Sequence, residues 1–220
     1  MTTFERVNVK KAVTLISGVA VSSVLLGLAV VPASATASTN NDADLSNGSA
    51  FIRNSWVQGG LKANGSFGTE EAVPANYDSL FASQSGGLGL IDDSGEDGFT
   101  TDDNGDFFMP GDPYEAWGIK VDGNPAAQNS NGSDDIEGSW TASETTGDAS
   151  VTWESTSTWD NIDITQVVSA PAAGDHLLHV TVTLHNTDSA AHTVFYTRQV
   201  DPDNNVDSEG DYSTFNRVMA

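Results

Sequence analysis

The run HLLHVTVTLHNTDSAAHTVFYTRQV, residues 176–200, decides the fold class. In its first half Leu178, Val180, Val182 and Leu184 share one parity, while His179, Thr181, Thr183 and His185 share the other. Strict period-two alternation with heavy β-branching marks a strand with one face buried and one wet. In the second half Val194, Tyr196, Arg198 and Val200 alternate with Phe195, Thr197 and Gln199. The polar link between them carries Asn186, Asp188 and Ser189, residues that favour turns. The stretch therefore reads as an antiparallel hairpin, and an acidic run, DPDNNVDSEGD, follows it at once.

The same grammar extends on both sides. Short β-type runs alternate with turn clusters, and no helical period of ten or more residues interrupts them. Expected strands are 51–57, 87–91, 106–109, 116–121, 136–142, 150–157, 162–168, 177–185, 193–200 and 212–218. Turn signals between them include Asn64-Gly65, Asp122-Gly123-Asn124-Pro125, Asn131-Gly132 and Ala173-Gly174-Asp175. Many short strands at this spacing predict an all-β fold, an antiparallel β-sandwich built as a meander.

The N-terminus is organised differently. Arg6, Lys10 and Lys11 precede an apolar run, Ala12–Val31, and small residues around Ala35 and Ala37 fit a cleavage site. Residues 1–37 thus read as a secretory signal peptide, 38–50 as a flexible polar leader, and 51–220 as an acidic sandwich domain that could lack its last strands. Secretion to the cell exterior or cell surface follows.

Composition narrows the partners. The chain of 220 residues has 31 acidic and 8 basic residues, a net charge of −23, and no cysteine. Nucleic acid binding relies on Lys and Arg neutralising phosphates, so a nucleic acid partner is excluded, and anionic membrane surfaces are disfavoured in the same way. Cations, cell-surface glycans and other surface-protein modules remain as partners. Without cysteine there is no disulfide framework and no thiolate metal site.

Two acidic stretches are the candidate ion sites. In the first, Asp201, Asp203, Asn205, Asp207, Glu209 and Asp211 recur at every second position, and alternating oxygen ligands in a loop suit calcium. An EF-hand is ruled out, because Val206 stands where its glycine is needed and Tyr212 where its bidentate Glu is needed. The second cluster runs Asp92, Asp93, Glu96 and Asp97, then Asp102, Asp103, Asn104 and Asp106, of which Asp102, Asn104 and Asp106 are the candidate ligands. A salt-adapted acidic surface with no ion site explains both stretches equally.

The five tryptophans raise sugar stacking. Trp153 alternates with Val151 and reads as core, whereas Trp159, beside Asp160 and Asn161 at a strand end, is the candidate carbohydrate-binding residue. His179 and His185, six residues apart, lie about 20 Å apart along a strand and cannot share an ion. His176 and His192 read as exposed polar residues. Glu115 and Glu154 lie near tryptophans and form the one conceivable acid/base pair. In so acidic a chain such pairs arise by chance, and no other catalytic motif is present, so an enzyme is not expected.

Three segments carry a resemblance: Phe107–Gly118 (FFMPGDPYEAWG), Thr181–Thr187 (TVTLHNT), and Tyr196–Asp203 (YTRQVDPD) with Ser213–Asn216 beyond. The chain resembles the N-terminal β-sandwich modules of large secreted or surface-anchored bacterial proteins. That likeness implies an extracellular or cell-surface location and a sandwich architecture more than an activity; joined to the acidic loops, it gives the expectation of a non-enzymatic, calcium-stabilised module. A weaker similarity, to the galactose-mutarotase-like supersandwich, implies a sugar-active or carbohydrate-binding domain with a catalytic His and Glu. A ligand-free structural spacer is the third reading.

Overall fold

A computed structural model describes residues 5–9, 13–15, 41–75, 77, 87–93, 106–108, 114–130, 132–145, 148–171 and 176–201. Among them there is no helix, and three antiparallel sheets form a β-sandwich. The first sheet runs β1 (Glu5–Val9), β14 (His192–Asp201), β7 (Tyr114–Val121), β8 (Ala127–Ser130), β9 (Ser133–Asp134). The second runs β10 (Gly138–Thr145), β11 (Asp148–Ser155), β12 (Ile162–Ala170), β13 (His179–Asn186), β2 (Val13–Leu15). The third is β3 (Asp42–Ser46), β4 (Ser49–Arg53), β5 (Val57–Leu61), β6 (Leu90–Asp92).

The second sheet is the regular one because its sequence alternates most strictly. β12 is buried at every second position from Ile162 to Ala170, and β11 buries Ala149, Val151 and Trp153. These residues meet Trp117, Ile119 and Val121 of β7 and Ile52 and Leu61 of the third sheet in one shared core. Phe51, of opposite parity to Ile52, faces a smaller cluster with Tyr77, Leu88 and Ile91, so β4 is buried on both faces.

The expected hairpin is not one. β13 pairs with β12 in the second sheet, whereas β14 pairs with β7 in the first. Alternation identifies which face of a strand is buried, and both strands do turn that face to the same core: Val182 and Leu184 from one side, Val194 from the other. A link that crosses between layers satisfies this as well as a tight turn does. Asn186 shapes the crossing, accepting from the Asp188 N–H (3.0 Å) and donating to Ala190 O (2.6 Å). His192 then ties the crossing to the β7–β8 turn: its Nδ1 lies 2.8 Å from Asp122 and its Nε2 2.9 Å from Asp188. Far from being a free polar residue, the His192 side chain is only 13% exposed.

Six strands lie outside the expected set or its boundaries, two of them in the N-terminal segment. Within the stretch read as a leader, β3 pairs with β4 through Asn47 and Gly48, both at positive φ (49° and 85°), the mirror-image turn that matches strand twist. The expected strand 51–57 is two strands, broken where Asn54 Oδ1 accepts the N–H groups of Trp56 and Val57. In β5, Gly59 and Gly60 lie in a strand because the neighbouring chain comes too close for a side chain. A Cβ on Gly60 would lie 2.4 Å from Leu88 O. β8 and β9 are short and polar, with no alternation to reveal them.

The strands β1 and β2 fall inside the segment read as an export signal. Both lie at outer edges, β1 beside β14 and β2 beside β13, so the inner ladders close without them.

Candidate functional site

Two features of the interior share one residue, Arg198. On one side is the turn 62–68, which leaves β5 and enters the core. It closes on itself through Lys62 N–H to Ser66 O (2.8 Å) and Gly65 N–H to Lys62 O (3.0 Å). Its outward carbonyls are taken by indoles: Trp140 Nε1 donates to Lys62 O (2.7 Å), Trp153 to Ala63 O (2.8 Å) and Trp117 to Asn64 O (3.0 Å). Asn129 Nδ2 adds a second bond to Asn64 O (2.8 Å). The Asn64 amide donates to Ser130 O and Asp134, and its oxygen accepts from both the N–H and the hydroxyl of Ser66. Gly65 sits at φ +85°, and a Cβ there would come within 3.0 Å of Gln166 Nε2 and 3.2 Å of Trp117 Nε1. Three of the five tryptophans therefore hold a loop instead of meeting a ligand. Asn64, buried and fully bonded, is no glycosylation acceptor despite its Asn-Gly-Ser triplet.

On the other side of Arg198 lies a cleft of about 400 Å³. Val57, Phe67, Leu90, Phe107, Phe108, Leu178 and Val180 line it, with the exposed Leu177 and Val200 at its rim. Of the three large hydrophobic residues exposed among the described residues, two are these rim residues, Leu177 at 56% and Val200 at 52%. Exposed apolar surface gathered around a concavity is a mark of binding.

Every charge on the cleft is paired where it stands. Arg198 Nε donates to Glu115 Oε1 (2.8 Å), whose other oxygen accepts the Phe67 N–H (2.9 Å). Arg198 Nη1 donates to Gln166 Oε1 (2.8 Å), and Nη2 reaches Gly65 O at 3.5 Å. The guanidinium also lies over the Phe67 ring, 5.6 Å from its centroid. Burial works against a charged Arg198, but the Glu115 carboxylate and the neighbouring Tyr196 hydroxyl together outweigh it and raise its pKa. Burial pushes the neighbouring Tyr196 phenol up to about 12. At the mouth, His176 Nδ1 lies 2.6 Å from Asp92 Oδ1, and Trp56 stacks on the His176 ring at 5.5 Å.

Few of the expected site residues fall among the described ones. Asp201 ends β14, and Asp203, Asn205, Asp207, Glu209, Asp211, Asp102 and Asn104 lie outside the described residues. Asp106 is buried and accepts from the N–H groups of Gly89 (2.7 Å), Leu90 (2.9 Å) and Phe108 (3.0 Å), which pins the β6 segment in place. Trp159 is half-buried and packed against the main core, with its indole nitrogen turned inward and unbonded. Glu154 is exposed while Glu115 is buried, so the two do not share an environment. Among the described residues no group of three or more metal-ligating side chains comes together.

Arg198 and Glu115 had a signal in the sequence. Arg198 shares the inward parity of Val194, and Glu115 that of Trp117, Ile119 and Val121. A charge in a buried phase requires a partner, and the two lone charges of opposite sign in adjacent strands were each other's. Comparison with known proteins adds nothing to this geometry: no family model, curated protein or solved structure matches the chain.

Proposed function

We propose that the chain is a non-enzymatic β-sandwich module of the extracellular or cell-surface space, exported by its basic and apolar N-terminal segment, which holds a small apolar ligand in the cleft beside Arg198. The cleft carries this reading: it is apolar, lies within the size range of ligand pockets (roughly 300–1,000 Å³), and has its polar groups confined to floor and mouth. Titration with N-phenyl-1-naphthylamine, a neutral dye that brightens in apolar surroundings, tests it. Saturable binding weakened at least tenfold by Leu177→Asp with Val200→Asp is expected. Absence of saturable binding, or indifference to both rim substitutions, contradicts it.

Calcium belongs to the same proposal, through the alternating carboxylates of Asp201–Asp211 and the Asp102–Asp106 cluster. A melting temperature raised by calcium and lowered by chelator in low-salt buffer supports it; an unchanged melt removes calcium from the account. A sugar-active reading draws on one observation, that His176, paired with Asp92, and Glu115 line a single cleft. Polarimetry of freshly dissolved α-D-galactose checks it, since an unchanged mutarotation rate leaves the cleft as a binding site alone.

A further inference from the structure

We infer that the cleft takes a small hydrophobic molecule carrying a neutral oxygen acceptor, such as a ketone, ester or ether, at its buried end. This rests on the reading of the cleft as a ligand site and adds the chemistry of the ligand. The floor decides it. A guanidinium has five N–H donors; Arg198 places Nε–H on Glu115, one Nη1–H on Gln166 and one Nη2–H, at a long 3.5 Å, on Gly65 O. The Tyr196 hydroxyl stands beside the guanidinium and takes at most one further N–H. At least one terminal N–H is thus unspent, in a residue that lines the cleft and is 20% exposed. An acceptor at the base of the cleft satisfies a donor that the protein itself leaves open.

Charge narrows the acceptor to a neutral one. Glu115, 1% exposed, stands directly against Arg198 and already balances it, so an incoming carboxylate would face a neutralised pair. A net charge of −23 over the chain repels anions further. A cation would meet Arg198 first. At the mouth the His176 ring stands 2.6 Å from the Asp92 carboxylate. Between floor and mouth the walls offer only aliphatic and aromatic carbon: Val57, Leu90, Phe107, Phe108, Leu178 and Val180. The matching ligand is hydrocarbon along its length, uncharged, and oxygen-tipped.

Three eight-carbon compounds test this: 2-octanone, octanoate and octylamine, titrated against the whole chain and followed by calorimetry and by the fluorescence of Trp56 at the mouth. The expected result is that 2-octanone binds at least tenfold more tightly than either charged compound. In the double variant Arg198→Met with Glu115→Gln, which leaves no buried charge unpaired, that preference disappears. Should the variant fail to fold, the wild-type Arg198 Nε–H resonance serves instead: it shifts with 2-octanone and stays put with octanoate. Equal binding of all three, or tighter binding of octanoate or octylamine, overturns the inference about the floor while leaving the cleft a ligand site. Binding by none overturns both.

Discussion

The turn 62–68 and the cleft meet at Arg198 and treat polarity in opposite ways. In the turn, three indoles, Asn129 and Glu115 take up the backbone groups that enter the core. In the cleft, the walls are carbon, the rim is exposed, and a donor on the floor stays open. The contrast teaches that buried polarity is spent on structure where it is satisfied and is available for binding where it is not. Arg198 takes part in both, and this makes its partner the most sensitive position in the molecule.

Glu115→Ala breaks both halves together. It leaves a guanidinium that is mostly buried without its counter-charge and the Phe67 N–H without its acceptor. Removal of one partner of a buried pair costs about 3–5 kcal/mol, to be read from the urea midpoint. A loss under about 1 kcal/mol, the range of an exposed pair, would mean that water reaches Arg198 and that the two regions are not distinct. Trp153→Phe breaks the turn alone. It keeps most of the ring but strands Ala63 O, for an expected loss of about 1–3 kcal/mol with cleft binding retained.

A smaller effect concerns His192, remote from both regions. Hydrogen bonds to Asp122 and Asp188 raise its pKa above the ordinary 6.5. Its contribution is therefore complete below that value and is lost as pH rises through the raised folded-state pKa. The pKa of Asp122 is lowered first by the Thr193 N–H and then by His192, and that of Asp188 first by His192. Their share is present above the ordinary 3.8 and disappears as pH falls through the lowered values. Stability should thus plateau between these limits, and His192→Gln should flatten the alkaline arm of a melting-temperature profile; an unchanged arm removes the tie between crossing and turn. The smallest effect sharpens the comparison. Leu177→Ser at the exposed rim should change stability by no more than about 0.5 kcal/mol and yet weaken dye binding.

Much of the sandwich could be read from alternation alone, since β11, β12 and β13 bury alternate residues in the phase their sequences announce. Pairing was hidden. Period two tells which face of β13 or β14 is buried, but the two strands belong to different sheets, and nothing local says so. Gly59 and Gly60 carry no strand signal, because the approaches of Leu178 to the one and Leu88 to the other come from elsewhere in the chain. The cleft was hidden for the same reason: its walls come from β5, β6, the Phe107-Phe108 segment, β13 and β14. Trp153 was legible as a core residue, but not the use of its N–H edge. Alternation marks a buried face, and it could not show that Trp117, Trp140 and Trp153 donate their indole N–H groups to the carbonyls of one loop.

Hydrogen exchange of the indole N–H groups, followed by NMR before and after addition of 2-octanone, tests the division at Arg198 most directly. The indole protons of Trp117, Trp140 and Trp153 should exchange slowly and ignore the ketone, while Trp56 exchanges fast and shifts together with Arg198 Nε–H. Exchange of the three loop-holding indoles as fast as that of Trp56, or a ketone response at those three and not at Trp56, would contradict it.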